Sequence, residues 1–130
     1  MYESIEEFQP FVLIGAGAIL GSWLRVYMTR YFLFFFSASY FGTAIINITS
    51  AFILGYFLAI QNQAVTNHQS PFFLFACVGF LGGLSTFSTF ITDILNSFLE
   101  KKFKIAFFLA FFSIFFGLLL ALLGLAFGDA

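Results

Sequence analysis

Three sets of polar residues interrupt an apolar chain, and their spacing suits the handling of a small ion better than covalent chemistry. Thr43, Asn47 and Ser50 follow at i, i+4 and i+7, so a helix over this stretch carries all three on one face. An Asn amide brings two N–H donors and is costly in hydrocarbon unless partnered. A continuous face of donors can replace water around an anion, although an interhelical hydrogen bond would account for Asn47 equally well. The second set, GFLGGLSTFSTF (residues 79–90), puts three glycines and four hydroxyl residues near the middle of a long apolar run. Glycine weakens helix and Ser/Thr side chains compete for backbone hydrogen bonds, so this composition predicts a helix broken over residues 82–86. Carbonyls freed there cannot be satisfied by lipid and must face protein, water or an ion, and converging carbonyls suit a desolvated monovalent cation. A glycine kink satisfied internally by Ser85 and Thr86 is the alternative. Phe87 and Phe90, at i and i+3, share a face, as packing pairs also do in a chain with 24 Phe. The third is Arg25, four residues past Gly21, which reads either as a snorkelling interfacial cation or as a buried structural or vestibule residue.

Other chemistries find little support. No cluster of His, Cys and carboxylates appears, and His68 lies alone in a polar stretch, so an enzyme is the weakest reading. The single cysteine, Cys77, excludes an intrachain disulfide and any CxxC metal site, and in its apolar run it reads as a small packed side chain. A net charge of −1 without a basic cluster argues against nucleic acid.

The elements that position these residues follow from composition. Only 8% of the 130 residues are charged and 62% are apolar, too few charges to clothe a water-soluble globule, which usually carries about a quarter. A membrane-crossing helix takes about 20 mostly apolar residues. The chain therefore reads as an all-α integral membrane protein with one four-helix domain over 1–130, with spans at about 11–31, 41–60, 71–99 and 105–127. The first span is expected to begin after Pro10, and QNQAVTNHQS (residues 61–70) to form an exposed loop. The third span, at about 29 residues, exceeds what a straight helix needs. Gly17-x-x-x-Gly21 and Ala18-x-x-x-Ser22 form small-residue stripes that let helices approach closely. The fourth span is nearly all apolar, with Ser113, Gly117 and Ala121 on one face, as expected of a packing or lipid-facing helix. The opening MYESIEEFQP has three Glu and no base, unlike a secretory signal, so the first span is expected to be retained.

Charge placement adds an orientation. Arg25 and Arg30 flank the first connection and Lys101, Lys102 and Lys104 form the third, so all five bases fall on one side of a four-span chain. The positive-inside rule then places both termini outside.

Taken in order, GAILGSWLR (17–25), GTAIINITSAFILG (42–55), GFLGGLSTFSTF (79–90) and a final apolar span resemble the Fluc (CrcB) fluoride channels over nearly the whole chain, and GGLSTFSTF is a long and specific string. The resemblance implies a fluoride-selective channel subunit of the plasma membrane that passively exports cytoplasmic fluoride and protects the cell from its toxicity. It further implies a dual-topology dimer, with two subunits antiparallel, two narrow pores, and a central structural sodium ion held by backbone carbonyls at the third-helix breaks. Carried onto this chain, those carbonyls belong to Gly82 and Ser85. Asn47 is the pore amide, and Phe87 and Phe90 are the rings that meet fluoride with their positive edges. Thr43, Ser88 and Thr89 neighbour the polar path, Arg25 matches a first-helix arginine, and Asp93 stands where an acidic residue is frequent near one pore end. Family members often carry polar residues along the fourth helix, whereas here Ser113 is its one hydroxyl, which puts one of the two pores in doubt.

A chain that pairs antiparallel with itself must insert both ways, and this charge bias opposes that. The partner in the bilayer is thus either a second copy or an oppositely oriented homologue. Two rivals remain. A small multidrug-type dual-topology exporter wants a carboxylate embedded in the first helix, and here Glu3, Glu6 and Glu7 precede it. A non-conducting membrane assembly subunit needs neither the midspan break nor the Thr43, Asn47 and Ser50 face.

Overall fold

Continuous apolar runs satisfy their backbone in lipid only as helices. The computed structural model describes residues 1–63, 70–85 and 87–130, and among these every regular element is helical. In chain order they are α1 (Tyr2–Phe35), α2 (Ser39–Gln63), a π-helical segment (Phe73–Leu81), α3 (Gly82–Leu84), α4 (Phe87–Leu99) and α5 (Phe103–Asp129). Four helical stretches are long and apolar enough to cross a membrane: Tyr2–Phe35, Tyr40–Gln63, Phe73–Leu99 and Phe103–Asp129. Most of the expected 61–70 loop, with His68, lies outside the described residues, as does Thr86.

The first helix is longer than the span expected of it. It starts at Tyr2 and runs through Pro10, and its 34 residues reach about 51 Å, against a hydrocarbon core of about 30 Å. Pro10 leaves the Glu6 carbonyl without its helical donor. The exposed Glu3, Glu6 and Glu7 place that turn in a region fit for water, where the loss is small.

Two seams of small residues hold the bundle. In the first, Gly17 and Gly21 of α1 bring their backbone against Phe75, Gly79 and Phe80 of the π-helical segment. The fit is reciprocal, since a Cβ on Gly79 would meet the Ile14 carbonyl, and one on Gly83 the Ala18 carbonyl, at 2.5 Å. The second seam joins α2 to α5. There Gly55 faces the Ala121 carbonyl, Gly124 faces Phe52, and a Cβ on Gly128 would sit 2.5 Å from that of Ala59. At its end Gln63 Nε2 donates to the Gly128 carbonyl at 3.0 Å. Between the seams, Ile46, Leu81 and Leu84 form the buried core, with Met28, Phe32, Ile53, Phe57 and Phe80 packed around it.

The outside is as apolar as the inside. Phe107 is 78% and Leu118 64% exposed, a surface that only lipid or another membrane helix can cover. The polar turn between α4 and α5 carries Lys101 with a positive φ of 61°, and an exposed ion pair from Lys102 Nζ to Glu100 at 2.9 Å. Donating a hydrogen bond to the Glu100 carboxylate raises the Lys102 pKa above its usual value.

Candidate functional site

The face of α2 that faces the third apolar stretch carries the polar residues singled out by spacing. Thr43 and Ser50 are buried on it, each 3% exposed, and Asn47 between them is half-buried. The helical period accounts for this directly, because i, i+4 and i+7 return to the same side within two turns. Ser22 of α1 reaches across to the same region, its hydroxyl 3.5 Å from the Gly83 carbonyl.

Two cavities open on this face. One, of about 290 Å³, is lined by Arg25, Thr29 and Arg30 of α1, Thr43 and Asn47 of α2, and Thr89 of α4 among others. The other, of about 220 Å³, is lined by Asn47, Ser50, Cys77, Leu81, Gly82 and Ser85 among others. Asn47 belongs to both. The first combines two guanidiniums with three hydroxyls and an amide, so its lining donates hydrogen bonds and carries positive charge, the set an anion requires. The second brings the amide and Ser50 against the stretch that contains Gly82 and Ser85.

That stretch departs from helix at a single described residue. Ser85 has φ −77° and ψ 147°, an extended conformation, between the end of α3 at Leu84 and the start of α4 at Phe87. Its backbone N–H and its hydroxyl both donate to the Leu81 carbonyl, each at 2.9 Å, as expected of a Ser competing for the last helical turn. Gly82 is exposed, with open space where a Cβ would stand.

Downstream, α4 carries Phe87 and Phe90 with ring centroids 6.2 Å apart and planes at 47°. Phe87 is 76% exposed and Phe90 half-buried, so within one chain the pair presents ring surface outward. Ser88 is exposed, and its carbonyl accepts from the Thr92 hydroxyl at 2.9 Å. Asp93, half-buried one turn on, accepts through its carbonyl from the Ser97 hydroxyl at 2.9 Å. The structure thus brings Arg25, Thr43, Asn47 and Thr89 together, and Asn47 with Gly82 and Ser85. The described linings of the two cavities do not include Phe87, Phe90, Ser88, Asp93 or the half-buried Ser113.

Two polar lining residues go beyond the site residues that the sequence marks: Arg30 reads there only as a flanking charge, and Thr29 has no role there. Arg25 and Thr29, at i and i+4, share a helical face, which is the available signal for Thr29, whereas Arg30 lies about 100° further round the helix.

The profile of the family described as "CrcB-like protein, Camphor Resistance (CrcB)" matches residues 12–125, which takes in both cavities, the first seam and the second seam short of Gly128. The chain belongs to this CrcB-like family. Among its relatives is a protein named fluoride-specific ion channel FluC 1 from Prochlorococcus marinus (strain MIT 9313), 38% identical over 95 residues, which are 72% of each chain. Another of that name, from Parasynechococcus marenigrum (strain WH8102), is 40% identical over 85 residues, 65% of this chain and 66% of the relative. A fluoride-specific ion channel FluC from Acinetobacter baylyi (strain ATCC 33305 / BD413 / ADP1) is 32% identical over 101 residues, 76% and 77% of the two chains. The matched residues take in most of the four helices that are long and apolar enough to cross a membrane.

Proposed function

We propose that this CrcB-like chain is a subunit of a fluoride-selective channel that lets cytoplasmic fluoride leave the cell passively, and is not an enzyme. The observation that carries the reading is the position of Asn47, whose amide lines both polar cavities and can hand an anion from one to the other. The names of its relatives supply the ion. Fluoride is small and tightly hydrated, so a path must offer replacement donors. Thr43, Asn47, Ser88, Thr89 and Ser113 offer hydroxyls and an amide, and Phe87 and Phe90 offer the positive edges of their rings. Arg25 concentrates anions at the mouth, and Asp93 sets the charge near one pore end. Conduction demands binding weak enough to release, which neutral donors and ring edges provide better than a trapping cation. A negative-inside potential of about 100 mV favours anion exit by about 2.3 kcal/mol, so no energy-coupling motif is needed.

The working unit is an antiparallel dual-topology dimer in the plasma membrane, each chain one four-helix domain whose third helix is broken near Ser85. The exposed Phe87 supports this reading, since a partner would cover the ring and complete a pore around it. A structural sodium ion at the dimer centre suits the Gly82 and Ser85 carbonyls. The extended ψ of Ser85 turns its carbonyl away from the helical direction, and Gly82 is exposed. Both termini lie outside, by the one-sided placement of the bases, and the partner in the cell is an oppositely oriented homologue. Equal populations of both orientations in a tag-protection assay would instead favour pairing with itself.

The deciding experiment is fluoride efflux from liposomes that contain the purified chain, read with a fluoride electrode against a chloride control. Rapid fluoride-only release is expected from the conducting assembly, with the chain alone or after co-expression with its partner. Folded protein that releases nothing under either condition overturns the proposal.

A further inference from the structure

Where the basic turn meets the membrane, the surface of α5 has two apolar furrows on either side of one aromatic ridge. The larger, of about 640 Å³, is lined by Phe103, Lys104, Phe107, Phe108, Phe111 and Phe112. The smaller, of about 350 Å³, is lined by Tyr40, Phe41, Lys104, Ile105, Phe108 and Leu109. Lys104 heads both furrows and Phe108 borders both. We infer that this surface binds one anionic diacyl phospholipid, its phosphate held at Lys104 and Tyr40 and one acyl chain lying in each furrow.

Length, shape and charge each support that occupant. From Lys104 to Phe112 the larger furrow runs eight residues along the helix, about 12 Å at the α-helical rise. One leaflet's share of a hydrocarbon core of about 30 Å is close to that. The wall is smooth, because Phe108 and Phe112 stack with centroids 3.9 Å apart and Phe111 and Phe115 lie within 7° of parallel. The head is cationic and available. Lys102 is held by Glu100 at 2.9 Å, whereas among the described residues Lys104 makes no ion pair and is exposed. Tyr40 adds a hydroxyl donor at the level where tyrosines anchor to the interface. A zwitterionic lipid brings its own cation to the same place, so Lys104 discriminates against it. The site needs only a membrane-spanning α5 and stands whether or not the chain conducts fluoride.

The test titrates the purified, delipidated full chain in detergent with phosphatidylglycerol or phosphatidylcholine of identical acyl chains, and counts retained lipid by native mass spectrometry. One phosphatidylglycerol per chain is expected, favoured about fivefold, the worth of a single basic residue at an anionic surface. Lys104→Gln should bring the two lipids level, and Phe108→Ala should lower retention of both. Lys101→Gln, in the turn outside both furrows, should change nothing. Equal retention by the unmodified chain, or a preference untouched by Lys104→Gln, overturns the inference. So does efficient disulfide cross-linking of two copies through Phe111→Cys in a Cys77→Ser background, which would mean that a second copy fills the furrows.

Discussion

Replacing Asn47 by Asp keeps the shape of the side chain and exchanges two N–H donors for a negative charge. Because Asn47 lines both cavities, an anion passing between them comes within contact distance of this group. Two unit charges about 4 Å apart at an effective dielectric of about 20 repel by about 4 kcal/mol. At 1.36 kcal/mol per decade, fluoride flux should fall by about a thousandfold. Arg25 and Arg30 line the first cavity and attract the new carboxylate, so that figure is an upper bound. Asn47→Ala separates the two effects. It removes the donors without adding charge and, at about 1–3 kcal/mol for a hydrogen bond lost in a buried path, should slow flux by about five- to 150-fold. Flux in the Asp variant should be lowest where its carboxylate is charged and should recover where it is protonated. The assay is electrode-monitored efflux from liposomes, on protein whose folding is checked by size-exclusion chromatography. An Asp variant that conducts within about threefold of the unmodified channel in alkaline buffer, where the carboxylate is charged, would refute the placement of Asn47 on the ion path.

Two further outcomes follow from the geometry. Phe87→Ile and Phe90→Ile keep an apolar side chain of similar reach and remove the ring edge, so each should abolish fluoride efflux while the protein still elutes as a folded assembly. Undiminished flux in both would remove the rings from the pathway. Gly124→Leu forces a side chain into the Phe52 carbonyl and to within 2.9 Å of the Tyr56 amide nitrogen, backbone that cannot swing aside. Overpacking of this kind costs about 1–3 kcal/mol or more, and the thermal midpoint in detergent should drop by several degrees. Gly117→Leu, on the same helix with nothing within 4 Å, should leave it unchanged, and equal effects at both positions would mean that the α2–α5 seam is not a tight contact.

What could be read in advance divides along physical lines. The four crossings were legible because the requirement to satisfy backbone in lipid leaves helix as the only solution for long apolar runs. The Thr43, Asn47 and Ser50 face was legible because helical periodicity is a property of spacing alone. Which small residues make the close contacts was only half legible. Gly17 and Gly21 do meet the third stretch, whereas on α5 the sequence drew attention to Ser113, Gly117 and Ala121, and the tight approach falls at Ala121, Gly124 and Gly128. A stripe tells where a helix can come close, but the neighbour's own small residues, here Gly55 and Ala59, decide where it does. The π-helical winding over Phe73–Leu81 left no mark in its uniformly apolar composition. Within it, Gly79 approaches the backbone of α1 closely.

Physical chemistry also explains why the two polar cavities are lined from several elements. Hydrocarbon penalises each buried donor that lacks a partner, so a row of donors long enough to cross the bilayer on one helix would destabilise that helix. This chain spreads them over Arg25 and Thr29 on α1, Thr43, Asn47 and Ser50 on α2, and Ser85 and Thr89 further on. Each helix bears a small part of the penalty, and the donors come to line shared cavities only once the helices pack together. Disturbing a seam far from the cavities should therefore reduce conduction as well as stability. In Gly124→Leu protein, flux per folded assembly should fall, although residue 124 lines neither cavity. If stability is lost while flux per folded assembly is kept, the α2–α5 seam holds the fold without positioning the path.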